Sequence, residues 1–157
     1  MHVVDTSSII DLSPYAFDVF SSLWRSIEGL IREGRFVAPR QVLEELSRRD
    51  DDLLKWAKSN KRMFEPPSLE VSLKAKEILS RFPGLIDANS AMAEADPFVV
   101  ASALAPDPRP PLFPRRRLVV SEENLKPGKI NIPAVCSHYK IDCITIIEFF
   151  RREGWTF

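Results

Sequence analysis

Apolar and polar positions along this chain switch between two periods, and the switches outline a fold. Residues 2–4 form a short β-branched run with the density of a buried strand. From about residue 14 to 33, Phe17, Phe20, Trp24, Ile27 and Ile31 recur at helical spacing with Leu23 and Leu30 beside them. That pattern predicts one amphipathic helix ended by Gly34. Residues 36–38 predict a second strand, after which Pro39 opens a helix running to Leu46. Further helices are expected over 51–60 and from a Ser68 cap to Phe82, the latter with Leu69, Leu73 and Leu79 as its apolar stripe and Pro83-Gly84 as its stop. Asp96-Pro97 begins another, carrying Phe98, Val99, Ala101 and Leu104. Pro106, Pro108, Pro110, Pro111 and Pro114 make the next stretch a loop. Strands are then expected at 118–120 and 141–146, with short helices from Pro133 and from Ile147. Strands separated by helices imply a parallel sheet covered on both faces. The expected class is therefore α/β, three layers around a mostly parallel central sheet, in one domain spanning 1–157.

Composition narrows the partners. The chain has 157 residues, 45% hydrophobic and 28% charged, with 22 Lys+Arg against 22 Asp+Glu. A zero net charge argues against a protein that coats nucleic acid non-specifically, but leaves room for an acidic pocket that accepts phosphate through a cation. The first residues lack a basic segment followed by an apolar one, and no apolar run is long enough to cross a membrane, so a soluble cytoplasmic protein is expected. Cys136 and Cys143 are too few for a disulfide scaffold. With His138 between them and His2 as a fourth ligand they match no structural zinc spacing, and both thiols are read as small apolar fillers.

Chemistry gathers on four acids. In parallel α/β sheets, sites form at the carboxyl ends of strands. Asp5 follows Val3-Val4 at such an end, with Thr6 and Ser7 beside it, although an Asp there can also simply hold a turn. In P-R-Q-V-L-E-E-L, Val42, Leu43 and Leu46 define the inward face of a helix, with Glu45 at its flank and Glu44 nearly opposite. The plain alternative is a solvent-facing pair. Asp96 stands where an Asp usually caps a helix. Glu123 leaves the strand ending Val120-Ser121, with Glu122 and Asn124 as substitutes and an acidic surface loop as the alternative. Asp11, Asp87 and Glu94 are read as turn or surface acids. Carboxylates converging from these positions can hold a hard divalent cation.

The segments V-V-D-T-S, P-R-Q-V-L-E-E-L, A-D-P-F-V-V-A-S-A-L and V-V-S-E-E occur in an order that resembles the PIN-domain nuclease family, over almost the whole chain. The chain departs from that family's pattern at Ser121-x-Glu123, where Thr-x-Asp is usual. The resemblance implies a Mg²⁺- or Mn²⁺-dependent endoribonuclease, often the toxin of a toxin–antitoxin pair. It further implies that Asp5, Asp96 and Glu123 hold an ion, and that Glu45 assists or reaches a second one. Thr6 or Ser121 would orient a ligand or a water. Arg115, Arg116 and Arg117, and a second cluster at Lys58, Lys61 and Arg62, are the candidates for gripping RNA, against the ordinary reading of solvated charge. An antitoxin and a second copy of the chain are the expected protein partners. Two other classes compete: a non-catalytic PIN-like module that binds RNA or protein, and an unrelated doubly wound domain with a metal pocket.

Overall fold

The computed structural model describes residues 1–49, 51–86, 94–105 and 117–156. Its strands are β1 (His2–Val4), β2 (Phe36–Pro39), β3 (Phe64–Glu65), β4 (Leu118–Val120) and β5 (Cys143–Ile144). They form one sheet in the order β3-β2-β1-β4-β5. Every neighbouring pair is parallel, with His2 opposite both Phe36 and Leu118, and Val4 opposite Val120. Parallel strands need crossovers, and the helices that supply them cover both faces. This explains why β1, β2 and β4 are buried at every position.

The helices are α1 (Thr6–Asp11), α2 (Ser21–Arg32), α3 (Arg40–Leu46), α4 (Asp52–Ser59), α5 (Leu69–Arg81), α6 (Asp96–Leu104), α7 (Ile132–Tyr139) and α8 (Ile146–Arg152). The result is the three-layer α/β/α architecture that the alternating pattern implied. Helix α6 packs on β1, β2 and β4 and carries α5. Its apolar character all round fits a helix placed between a sheet and another helix. The chain winds outward from β1 to β2 and β3, then returns to place β4 on the other side of β1. That reversal opens a crevice at the carboxyl ends of β1 and β4, where this class of sheet binds ligands.

Several expectations change. The helix expected over 14–33 begins only at Ser21, and Phe17 lies before it, stacked on Trp24 with ring centroids 4.1 Å apart. Thr6–Asp11 is helical although it has no apolar period, so Asp11 ends a helix rather than holding a turn. On α5 the inward face is Val71, Ala75 and Ile78, which leaves Leu69 and Leu73 exposed. The strand expected over 141–146 shrinks to Cys143–Ile144 because Thr145 closes a capping box that starts α8. The proline-rich loop and Asp87 lie outside the described residues. Among the described residues no helix is long and apolar enough to cross a membrane.

Candidate functional site

Asp5 leaves β1 at the crevice, and its amide donates to the Val120 carbonyl at 3.0 Å, extending the β1–β4 ladder by one residue. Its carboxylate is nearly inaccessible, at 3% exposure. Two hydroxyls hold it: Ser7 Oγ donates to Oδ2 at 2.5 Å and Ser121 Oγ donates to the same oxygen at 3.0 Å. Burial nevertheless pushes its pKa above the usual carboxylate range, against the pull of those hydrogen bonds. Both hydroxyls also accept from the strand that supplies the next acids, Ser7 from the Glu122 amide at 3.0 Å and Ser121 from the Glu123 amide at 3.3 Å. In the sequence Thr6 and Ser7 stand alike as hydroxyls beside Asp5, and only the Asp-x-Ser spacing marks Ser7.

Glu45 is pinned from two sides. Oε1 accepts from the Ala95 amide at 2.8 Å, and Oε2 accepts from the Thr6 hydroxyl. Helix α6 therefore has its first turn closed by a carboxylate from α3 rather than by its own Asp96. No side chain at its N-cap, Ala95, does that work. Asp96 instead lies half-buried at the first helical position, its pKa pushed up to about 8. Burial is the largest cause, followed by the negative charges of Asp5, Glu123, Glu45 and Glu94. Three acids from distant parts of the chain, with the neighbouring Glu94, thus press on one carboxyl group. Glu94, expected as a plain surface acid, belongs to this field.

Glu123 contributes charge, but its Oε2 accepts from the Ile132 amide at 3.0 Å, at the start of α7. Glu122 turns away from the crevice. Its Oε1 accepts from the Ile146 amide at 2.5 Å, at the start of α8, and from Ser8 Oγ at 3.5 Å. Of the neighbouring acids after β4, Glu123 is the one felt by Asp5 and Asp96.

The other sequence candidates separate from this cluster. Arg117 donates from Nη1 to the Ser102 carbonyl at 2.6 Å, tying the entrance of β4 to α6. Arg115 and Arg116 lie outside the described residues. Lys61 and Arg62 sit in the turn leading into β3, the edge strand two places from β1. Cys136 is fully buried, its thiol pushed up by Cys143 and by burial. His138 Nε2 accepts from Arg81 Nη1 at 2.9 Å, and His2 lies at the amino edge of β1. A cleft of about 480 Å³ lined by Ser13, Phe17, Asp18, Asp51 and Leu53 shares no residue with the acidic cluster.

The donors at the crevice are all hard oxygens, the set that suits Mg²⁺ or Mn²⁺. Among the described residues no group of three or more His, Cys, Asp or Glu side chains is close enough to enclose an ion. Such a cage is not required, because Mg²⁺ commonly takes one or two carboxylates and keeps several waters. The raised pKa of Asp96 is the observation that fits a cation: crowded carboxylates are what a nearby divalent charge would relieve.

Fold and site together define a doubly wound α/β domain with a buried acidic cluster at its switch point. A family model described as a domain of unknown function, DUF4411, matches residues 2–157, and the chain belongs to that family. No curated protein and no solved structure matches the chain.

Proposed function

We propose that this protein is a metal-dependent endoribonuclease of PIN type, acting in the cytoplasm on RNA phosphodiester bonds. Its carrying observation is the convergence on Asp96, whose carboxyl is pushed up to about 8 by burial and by Asp5, Glu123, Glu45 and Glu94. Asp5 and Asp96 would hold Mg²⁺ or Mn²⁺, with Glu123 and Glu45 completing the negative field. When bound, such an ion lowers the pKa of a water and offsets charge on the phosphate oxygens. The protein's own residues set the geometry. Ser7 and Ser121 fix the Asp5 carboxylate through Oδ2. Thr6 and the Ala95 amide fix Glu45 and with it the start of α6. Asp96 keeps its proton near neutral pH and would have to give it up to hold a cation. A toxin role with an antitoxin partner follows from the same family reading, and a homodimer would use apolar surface near Phe17 and Phe20 that the core does not absorb.

A second reading has its own support. Glu123 has one oxygen committed to the Ile132 amide, and no three-donor group forms among the described residues. Both suit a PIN-like module that binds RNA or protein without cutting. The test is cleavage of a mixed labelled RNA pool with Mn²⁺, Mg²⁺ or EDTA, alongside Asp5→Asn checked for folding by circular dichroism. Metal-dependent cutting that falls about 100-fold or more in the variant supports the nuclease. No cutting by folded protein under any ion favours the binding module.

A further inference from the structure

Helix α3 carries a buried polar group that the acidic cluster does not account for. Gln41 is 8% exposed, and its Oε1 has no hydrogen-bond partner among the described residues. An unsatisfied buried acceptor of this kind costs about 1–3 kcal/mol, so its retention calls for a reason. Its position supplies one. Gln41 stands two residues beyond the carboxyl end of β2, the strand paired with β1. It also lies one helical turn before Glu45, about 40° around the α3 axis, so the two side chains leave the same face of the helix. Glu45 on that face reaches Thr6 and Ala95, which flank Asp5 and Asp96 in the sequence. The orphan oxygen therefore belongs to the face of α3 from which Glu45 reaches the acidic crevice.

An amide oxygen is a neutral acceptor. Among carboxylates it can serve a donor without adding to their mutual repulsion. A divalent cation held by one or two carboxylates keeps waters whose hydrogens need acceptors, and outer partners of this kind tune affinity. We infer that Gln41 is a positioning residue of the cation site, its Oε1 accepting from a water of hydration of the bound Mg²⁺ or Mn²⁺. This inference rests on the cation-binding part of the proposed function.

The two are separated by titrating the full chain with MnCl₂ alone, following Mn²⁺ affinity by calorimetry and the thermal midpoint with and without the ion, with no RNA present. In wild type, Mn²⁺ should bind and raise the midpoint. Gln41→Met matches the side chain in length and removes the oxygen. It should weaken Mn²⁺ binding about 10-fold. It should also raise the metal-free midpoint by about 3 °C, because the unsatisfied acceptor is gone. Gln41→Glu keeps an acceptor oxygen at the same reach and should bind Mn²⁺ at least as tightly as wild type, which also guards against a Met variant that does not fold. Unchanged Mn²⁺ affinity in Gln41→Met overturns the inference while leaving the cation site intact. So does a lowered metal-free midpoint, which would make Gln41 a structural residue, and so does weakened binding in Gln41→Glu. A wild type that takes up no Mn²⁺ overturns the inference together with the cation reading beneath it.

Discussion

The two ends of β1 lie three residues apart and handle charge in opposite ways. At the amino end, Arg35 Nη2 donates to both oxygens of Glu153 at 2.9 and 2.8 Å. His2 stacks edge-on against Phe149 beside that pair. Each charge there has an opposite within reach. At the carboxyl end, Asp96 feels the negative charges of Asp5, Glu123, Glu45 and Glu94, and Asp5 feels that of Glu123. A balanced cluster serves the fold. An unbalanced one opposes it unless a proton or a cation offsets the charge. The contrast teaches that charge removal should change stability with opposite sign at the two ends of one strand.

Acid should expose the amino end first. His2 is lowered to about 4 by burial and by nearby positive charge, although its Nδ1 is placed to donate to the Arg35 carbonyl at 3.2 Å. Glu153 Oε1 stands 3.6 Å from Nε2 and pulls the other way, but Arg35 already engages that carboxylate. The folded pKa lies below the unfolded one, so the unfolded state binds the extra proton. The contribution of a neutral His2 is complete above about 6.5 and is lost as pH falls toward 4, amounting to about 2–3 kcal/mol. Urea midpoints from pH 7.5 to 4.5 should show that loss, and His2→Phe should flatten it. An equally steep fall in the variant would remove His2 from the account.

Next in size is Arg35→Met, which leaves the Glu153 carboxylate, only 11% exposed, without its guanidinium. A loss of about 2 kcal/mol is expected in urea unfolding at pH 7. A change near zero would mean that solvent already screens this pair, and the contrast between the two ends would weaken.

The smallest effect has the opposite sign. Because Asp96 is only half-buried, water screens most of the linkage that the rise to about 8 implies, and Asp96→Asn in metal-free protein should raise stability by about 1 kcal/mol at pH 8.5, or roughly 2–4 °C. Asp96 carries a folded pKa of about 8, above its unfolded value, so its ionisation destabilises the fold as pH rises between them. The advantage of the variant should therefore shrink as pH falls and vanish near pH 4, where Asp96 is protonated in the unfolded chain as well as in the fold. A variant less stable than wild type at pH 8.5 would show that Asp96 has a structural partner after all.

The sheet's inner strands and the acids at their ends were legible because a buried parallel strand and the loop leaving it are both local patterns. What was not legible came from burial without period. Phe17 reaches the core by stacking on Trp24 from outside the helix, and its spacing mimics one more helical turn. Strand β3 has only two residues, too few to show any pattern. On α5, Leu69 and Leu73 outweigh Val71 and Ala75 in hydrophobicity, yet the smaller pair faces inward, where α6 lies close. In the site, the acids could be named but not their tasks. Glu45 reads as a flank residue and becomes the closure of α6; Glu122 and Glu123 read as alternatives and serve different helices. Gln41 left no trace, since one polar residue near the start of a charged helix is unremarkable until its burial is known.

Three helices in the second half of the chain begin on borrowed carboxylates: α6 on Glu45, α7 on Glu123 and α8 on Glu122. These clasps join residues 50, 9 and 24 positions apart. The amides of Ala95, Ile132 and Ile146 are therefore sheltered by assembly rather than by local coil-to-helix propensity. Their exchange with solvent deuterium should follow the opening of the whole architecture, not the fraying that governs ordinary helix ends. By tying its later helices to acids from other elements, the chain makes the order around its crevice an all-or-none property.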